Sequence, residues 1–126
     1  MGFQEGDLVL EIGRDNDCDQ SLRDAITEIT KTALIEEETT EVVDAVLLWW
    51  RDGDGDLVDD LVDALTYLSE TGPLWLLTPK IGRDGHVDPS DIKDAIPNVG
   101  LSQTSTISIA ADWSATRCVA RKSVKR

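Results

Sequence analysis

"AVLLWWRDGDGDLVDDLVDAL", residues 45–65, decides the fold. Its first six residues, Ala45 to Trp50, form an apolar run too short for a globular helix and suited to a buried strand. An Asp-Gly turn follows. Then Leu57, Leu61, Ala64, Leu65 and Leu68 recur at helical spacing, while Asp59, Asp60, Asp63 and Glu70 take the other side. Gly72-Pro73 ends the pattern. The stretch is therefore a strand, a turn and a helix.

The same unit occurs on either side of it. "LVLEIGRDNDCDQSLRDAI", residues 8–26, and "LWLLTPKIGRDGHVDPSDIKDAI", residues 74–96, also run from apolar residues into Arg-Asp, then a polar turn, then a step Asp-Ala-Ile. The Asp, Asn, Ser and Gly residues between strand and helix supply turn conformations and N-caps, and carboxylates at helix starts are favoured by the macrodipole. The third helix begins at "DPSD", and Pro97 and Gly100 are expected to close it. Beyond it, "TSTISIAADW" and "SATRCVARK" read as two strands of an antiparallel hairpin. The segment "TALIEEETTEVV" stays open, with Leu34 and Ile35 a candidate short strand.

Alternating strands and helices require right-handed crossovers between parallel neighbours. The expected fold is α/β: a small Rossmann-like three-layer domain over residues 1–126, with a mostly parallel sheet, an antiparallel C-terminal hairpin and a basic, frayed tail at 121–126.

A chain of 126 residues that is 40% apolar and 29% charged suffices for a packed core. The net charge of −13 is uneven: residues 1–70 hold 20 acidic and 4 basic groups, residues 71–126 hold 5 and 8. A field of that sign repels phosphate backbones and anionic lipids, so duplex nucleic acid and membranes are excluded as expected partners. Neither a signal peptide nor a membrane span is expected, and Cys18 and Cys118 lack metal or CxxC spacing. A cytoplasmic protein with reduced thiols is expected.

Asp52, Asp54 and Asp56 alternate like the first ligands of a calcium loop. Such a loop needs Gly at its sixth position and usually Glu at its twelfth, where this chain has Leu57 and Asp63. Asp15, Asp17 and Asp19 repeat the alternation, which makes it a property of strand-to-helix turns, and no metal site is expected. "VLEIGRDND", residues 9–17, resembles the strand end and glycine loop of methyltransferases over Leu10, Glu11, Ile12 and Gly13 and no further; Arg14, Asp15 and Asn16 stand where small residues would let a cofactor approach. No cofactor is expected. His86 is the single histidine and falls in a polar turn, read as exposed, and neither cysteine has a His beside it. No catalytic set emerges. Trp50 and Trp75 read as core residues. Open α/β sheets place their crevices at the carboxyl ends of strands, where this chain carries Gly13, Arg14, Arg51, Thr78, Pro79, Lys80 and Arg83. Lys80 is expected to neutralise Asp15, Asp52 and Asp84 in the neighbouring turns.

"GDLVLEIGRDND", "LWLLTPKIGRDGHVDPSDI", "VGLSQTS" and "DWSATRCVARK", together with the opening stretch, resemble the actinobacterial domain-of-unknown-function family 3052 over nearly the whole chain. The resemblance implies a reduced Rossmann-like fold similar in its second half to class I methyltransferases. It marks Trp75, Thr78, Pro79, Lys80, Gly82, Arg83, Gly85, Asp112, Trp113 and Arg117 as matching family features, and so adds Trp113 and Arg117 to the candidate crevice. Two readings follow. One is a non-catalytic binding or regulatory module on a degenerate Rossmann-like scaffold, with an unidentified protein partner or small ligand; the other is a nucleotide- or S-adenosylmethionine-dependent enzyme with an atypical cofactor loop.

Overall fold

The computed structural model describes residues 2–36 and 41–120. Each of the three repeated units folds as a strand and a helix: β1 (Val9–Ile12) with α1 (Gln20–Thr30), β2 (Ala45–Trp49) with α2 (Leu57–Leu65), and β3 (Leu74–Pro79) with α3 (Pro89–Asn98). The hairpin strands are β4 (Leu101–Ser108) and β5 (Trp113–Ala120). The Asp-rich turns explain the helix starts. Asp19, Asp56 and Asp88 are the three N-caps, and their carboxylates accept from the backbone N–H of Leu22, of Val58 and Asp59, and of Ser90 respectively. The third helix runs through Pro97, so this proline sits in the last turn and the chain leaves the helix at Val99.

The sheet order is β1-β2-β3-β5-β4. β1, β2 and β3 are parallel, while β5 runs antiparallel to both β3 and β4. The hairpin therefore enters with its second strand inside and leaves β4 at the edge. Outside β1, Ile35 makes a single parallel bridge: the Glu11 N–H donates to the Ile35 carbonyl at 2.7 Å and the Ile35 N–H to the Val9 carbonyl at 2.9 Å. Val43, at the far end of the ambiguous segment, makes a second parallel bridge, to Leu68, so the described residues of that segment add two isolated bridges and no strand.

Alternation along the strands sends residues to two cores. Leu10, Val46, Leu48, Trp50, Leu74 and Leu76 pack against α2 and α3 through Leu57, Leu61, Ala64, Ile92 and Ile96. On the opposite face Val9, Leu47, Trp49, Trp75, Leu77, Trp113 and Ala115 pack together with Ile26 of α1. Three layers result. Trp49 and Trp113 meet edge to face with centroids 4.8 Å apart. Trp50 and Trp75 are core residues as expected, at 6% and 3% exposure.

The layers also separate the thiols, since Cys118 lies in the first core and Cys18 beside the second. Burial pushes the Cys118 thiol up to about 12 and raises that of Cys18 as well. Both shifts suppress the nucleophilic thiolate near neutral pH. In native protein at pH 7.5 a maleimide is expected to modify Cys18 slowly and Cys118 only after denaturant is added, which intact mass against time would show. Rapid native modification of Cys118 would contradict its placement.

Candidate functional site

The carboxyl ends of the strands lie together, and α1 and α2 leave β1 and β2 on opposite faces of the sheet, so the topological crevice of this fold opens between β1 and β2. Arg51 occupies it. Its Nη2 and Nε donate to the two oxygens of Asp17 at 2.6 and 2.7 Å, and its Nη1 to the Gly13 carbonyl at 3.0 Å and to Asp54 at 3.3 Å. The guanidinium carbon stands 5.2 Å from the Trp113 ring centroid, within cation–π range. The Trp113 indole N–H in turn donates to the Asp17 carbonyl at 3.0 Å. The hydrogen bonds from Arg51 draw the Asp17 carboxyl below its ordinary value, so this clasp is charged on both sides at neutral pH.

Gly13 has φ of 82°, and a Cβ built on it would lie 2.3 Å from the Trp49 carbonyl oxygen. The missing side chain there admits β2. Arg14 lies at the exposed end of β1 and pairs with Glu36 at 3.4 Å. Beneath it Glu11 is fully buried and accepts from Arg23 Nε and Nη2 at 2.8 and 2.9 Å and from the Trp49 indole N–H at 2.8 Å. Three donors take up this carboxylate. A hollow of about 400 Å³ beside these groups is lined by Leu10, Gly13, Arg14, Glu36, Asp63 and Tyr67 among others.

A different opening lies at the end of β3. Thr78, Pro79 and Lys80 line a cleft of about 490 Å³ with His86, Ser114 and Thr116. The register aligns Thr78 with Ser114, and Thr116 with Thr106, giving a hydroxyl floor across three strands. Val87, Pro89 and Ile92, at the start of α3, supply apolar walls. Thr78 is 4% exposed, and its hydroxyl has no hydrogen-bond partner among the described residues. His86 is half-buried, its Nδ1 2.9 Å from the Pro79 carbonyl, which corrects the expectation of an exposed turn histidine. Among the described residues no carboxylate lines this cleft.

Lys80 also departs from expectation. Its side chain makes no ion pair with any described residue, Asp15, Asp52 and Asp84 included, and the turn acids that do form an ion pair at the crevice, Asp17 and Asp54, are held by Arg51. The reason is reach and shape: the Arg51 fork spans both strand ends from β2, between the turns that carry the acids. Arg83 pairs with Asp112 at 2.8 Å, joining the β3–α3 turn to the hairpin connection. Trp113 is buried at 2% exposure and serves as the floor under Arg51. Arg117 is not brought to the crevice: it pairs with Trp75, whereas Trp113 pairs with Pro79, because β5 runs away from the strand ends. In the two turns with alternating aspartates Asp19 and Asp56 cap helices while Asp17 and Asp54 hold Arg51, and no cluster of potential metal ligands occurs among the described residues. Among them, too, no helix is long and apolar enough to cross a membrane.

A family model described as "Protein of unknown function (DUF3052)" matches residues 1–122. A Mycobacterium tuberculosis H37Rv protein, "Uncharacterized protein Rv2239c", is 50% identical over 123 residues, which is 98% of this chain and 77% of that one. Among solved structures, a putative type 11 methyltransferase from Sulfolobus solfataricus is similar at a TM-score of 0.66 and 10% identity, over 94% of this chain and 86% of that one. A SAM dependent methyltransferase from Aquifex aeolicus is similar at 0.60 and 10%, over 93% and 84%. These likenesses give the fold: a methyltransferase-like Rossmann architecture.

Proposed function

The chain belongs to the DUF3052 family of proteins of unknown function, and on that footing we propose that it is a non-catalytic binding module that takes a small organic monoanion in the cleft of Thr78, Lys80, His86, Ser114 and Thr116. The observation that carries this reading is the contrast between the two openings. The crevice between β1 and β2 is filled by Arg51, whose donors are committed to Asp17, Asp54 and Gly13, while the β3 cleft is open and presents an unpaired ammonium over a hydroxyl floor. Its volume falls within the ~300–1,000 Å³ of small-molecule sites, and its apolar walls favour a ligand with a short apolar body behind the charged end. In a chain with 25 acidic residues, a cleft free of carboxylates selects for an anion.

Thermal shift and calorimetry with acetate, benzoate, pyruvate and phosphate test this. A ligand at 100 times its dissociation constant adds about 2.7 kcal/mol of stability. At least one carboxylate is expected to bind, and Lys80→Met is expected to weaken it at least tenfold while leaving stability within about 0.5 kcal/mol, since Lys80 holds no ion pair with any described residue. If none of the four probes binds, or if Lys80→Met binds equally well, this assignment fails.

A second reading is supported by the hollow beside Gly13. Glu36 follows Ile35 at the outer edge of β1, and in dinucleotide-binding folds an acidic residue about 20 positions past the glycine loop holds a ribose hydroxyl. In this chain Glu36 is paired with Arg14 and Arg23, at 3.4 and 3.3 Å. S-adenosylmethionine and adenine nucleotides belong in the same panel. A saturable shift with one of them, lost in Glu36→Gln, would favour an enzyme.

A further inference from the structure

Among the described residues β4 ends the sheet and pairs on one side only, with β5. An eight-residue edge strand with free N–H and C=O groups is a template for another strand, and proteins usually blunt such edges with charges, prolines, short length or cover. At the other end of this sheet β1 is four residues long and bridged by Ile35. β4 has neither protection. Residues 95–111, "AIPNVGLSQTSTISIAA", contain no charged side chain, although 29% of the chain is charged. Gln103 to Ser108 are nonetheless exposed, with Ile107 at 38%. β4 carries one irregularity that blunts an edge, the register shift between Gln103 and Ser105, and among the described residues no segment covers its outer side.

The charge of the molecule grades along the same axis. Of the 20 acidic groups in residues 1–70, the 18 on described residues belong to the part of the chain that builds β1, α1, β2 and α2, away from β4. β1 and β4 are four strand spacings apart, about 19 Å at ~4.8 Å per strand. The Debye length at physiological ionic strength is ~8 Å. Two copies meeting at β4 therefore keep their acidic halves beyond screening distance, whereas any contact through the β1 side opposes like charges.

We infer that the outer edge of β4 pairs antiparallel with β4 of a second copy, making one ten-stranded sheet across a twofold axis. The strand is self-complementary in the way an isologous contact requires, since its Ser, Thr and Gln side chains can face their own copies without like charges opposing. Beside it runs a groove lined by Lys93, Ile96, Pro97, Leu101 and Ser102 among others, and the partner's strand lies along its rim. Strand pairing of this length is smaller than the ~1,200 Å² of a standard stable interface, so the association belongs in the micromolar range, on the order of 1–100 µM.

Sedimentation velocity on the full chain from about 1 to 200 µM at 150 mM salt reads the result. The expected mass rises from 13.8 kDa toward twice that value. Hydrogen exchange of the amides at 101–108 is expected to slow as concentration rises. Ser105→Lys, which sets cations against one another across the twofold, is expected to weaken association at least tenfold, with circular dichroism and tryptophan emission unchanged. Glu28→Lys on exposed α1 is expected to leave it as it was. A single 13.8 kDa species at the highest concentration would overturn the inference, and so would a dimer that Ser105→Lys leaves intact.

Discussion

Arg23→Leu is expected to lower the free energy of unfolding by about 3–5 kcal/mol, the cost of leaving a buried charge without its partner. Arg23 projects from the inward face of α1 at 8% exposure, and Glu11 lies beneath it at 2%. The two form a bidentate pair, and the hydrogen bonds to Glu11 raise the Arg23 pKa further above its already high ordinary value. Removing the guanidinium leaves the Glu11 carboxylate with one donor, the Trp49 indole. Arg23→Lys keeps the charge and loses the fork, so an intermediate loss is expected. Adding Glu11→Leu to Arg23→Leu should recover most of the loss but leave the buried Trp49 N–H unsatisfied, a residual cost of about 1–3 kcal/mol. Urea unfolding followed by tryptophan emission measures all three variants. A loss below 1 kcal/mol for Arg23→Leu would show that the pair is solvated in solution. The pair also bears on function, because a carboxylate engaged by three donors is withdrawn from any ligand at the β1 end.

This pair shows where a sequence can be read and where it cannot. Strand, turn and helix were legible three times over because they are written in adjacent residues: an apolar run, an Asp cap, a helical period. Strand order was not, since nothing local says that β5 rather than β4 lies against β3. Charge pairing was missed for the same reason. Arg51 and Asp17 are 34 residues apart, and the strand-end rule, which gathers Lys80 with the turns of Asp15, Asp52 and Asp84, does not say which side chains meet. A signal for Arg23 did exist. Arg23, Ile26 and Thr30 share the inward stripe of α1, so an arginine at a core position called for a buried acid, and Glu11 stands inside the apolar strand "VLEI". The β3 cleft was half legible: Thr78, Pro79 and Lys80 follow from the strand-end rule, whereas Ser114 and Thr116 reach it through antiparallel pairing that only the fold supplies. Arg117 went the other way, carried off the site by the direction of β5.

Gly13→Ala separates the two accounts of the glycine at the end of β1. A glycine kept for a cofactor leaves open space where its side chain would be, and alanine there would spare stability while abolishing binding. In this fold the space is taken: the added Cβ would lie 2.3 Å from the Trp49 carbonyl oxygen, and φ of 82° is a left-handed conformation that alanine adopts only with strain. The contact is backbone, so no side chain can swing aside. β1 and β2 must separate, and their parting disturbs the Gly13 carbonyl on which Arg51 Nη1 rests. Strain at positive φ costs about 1–3 kcal/mol, and overpacking a core adds a similar amount. The expected loss is therefore about 3 kcal/mol or more, in urea unfolding, with ligand binding at the β3 cleft retained in whatever fraction stays folded. Were Gly13→Ala to unfold like the parent chain, β1 and β2 would not approach as closely as described, and the crevice would have room for a cofactor after all.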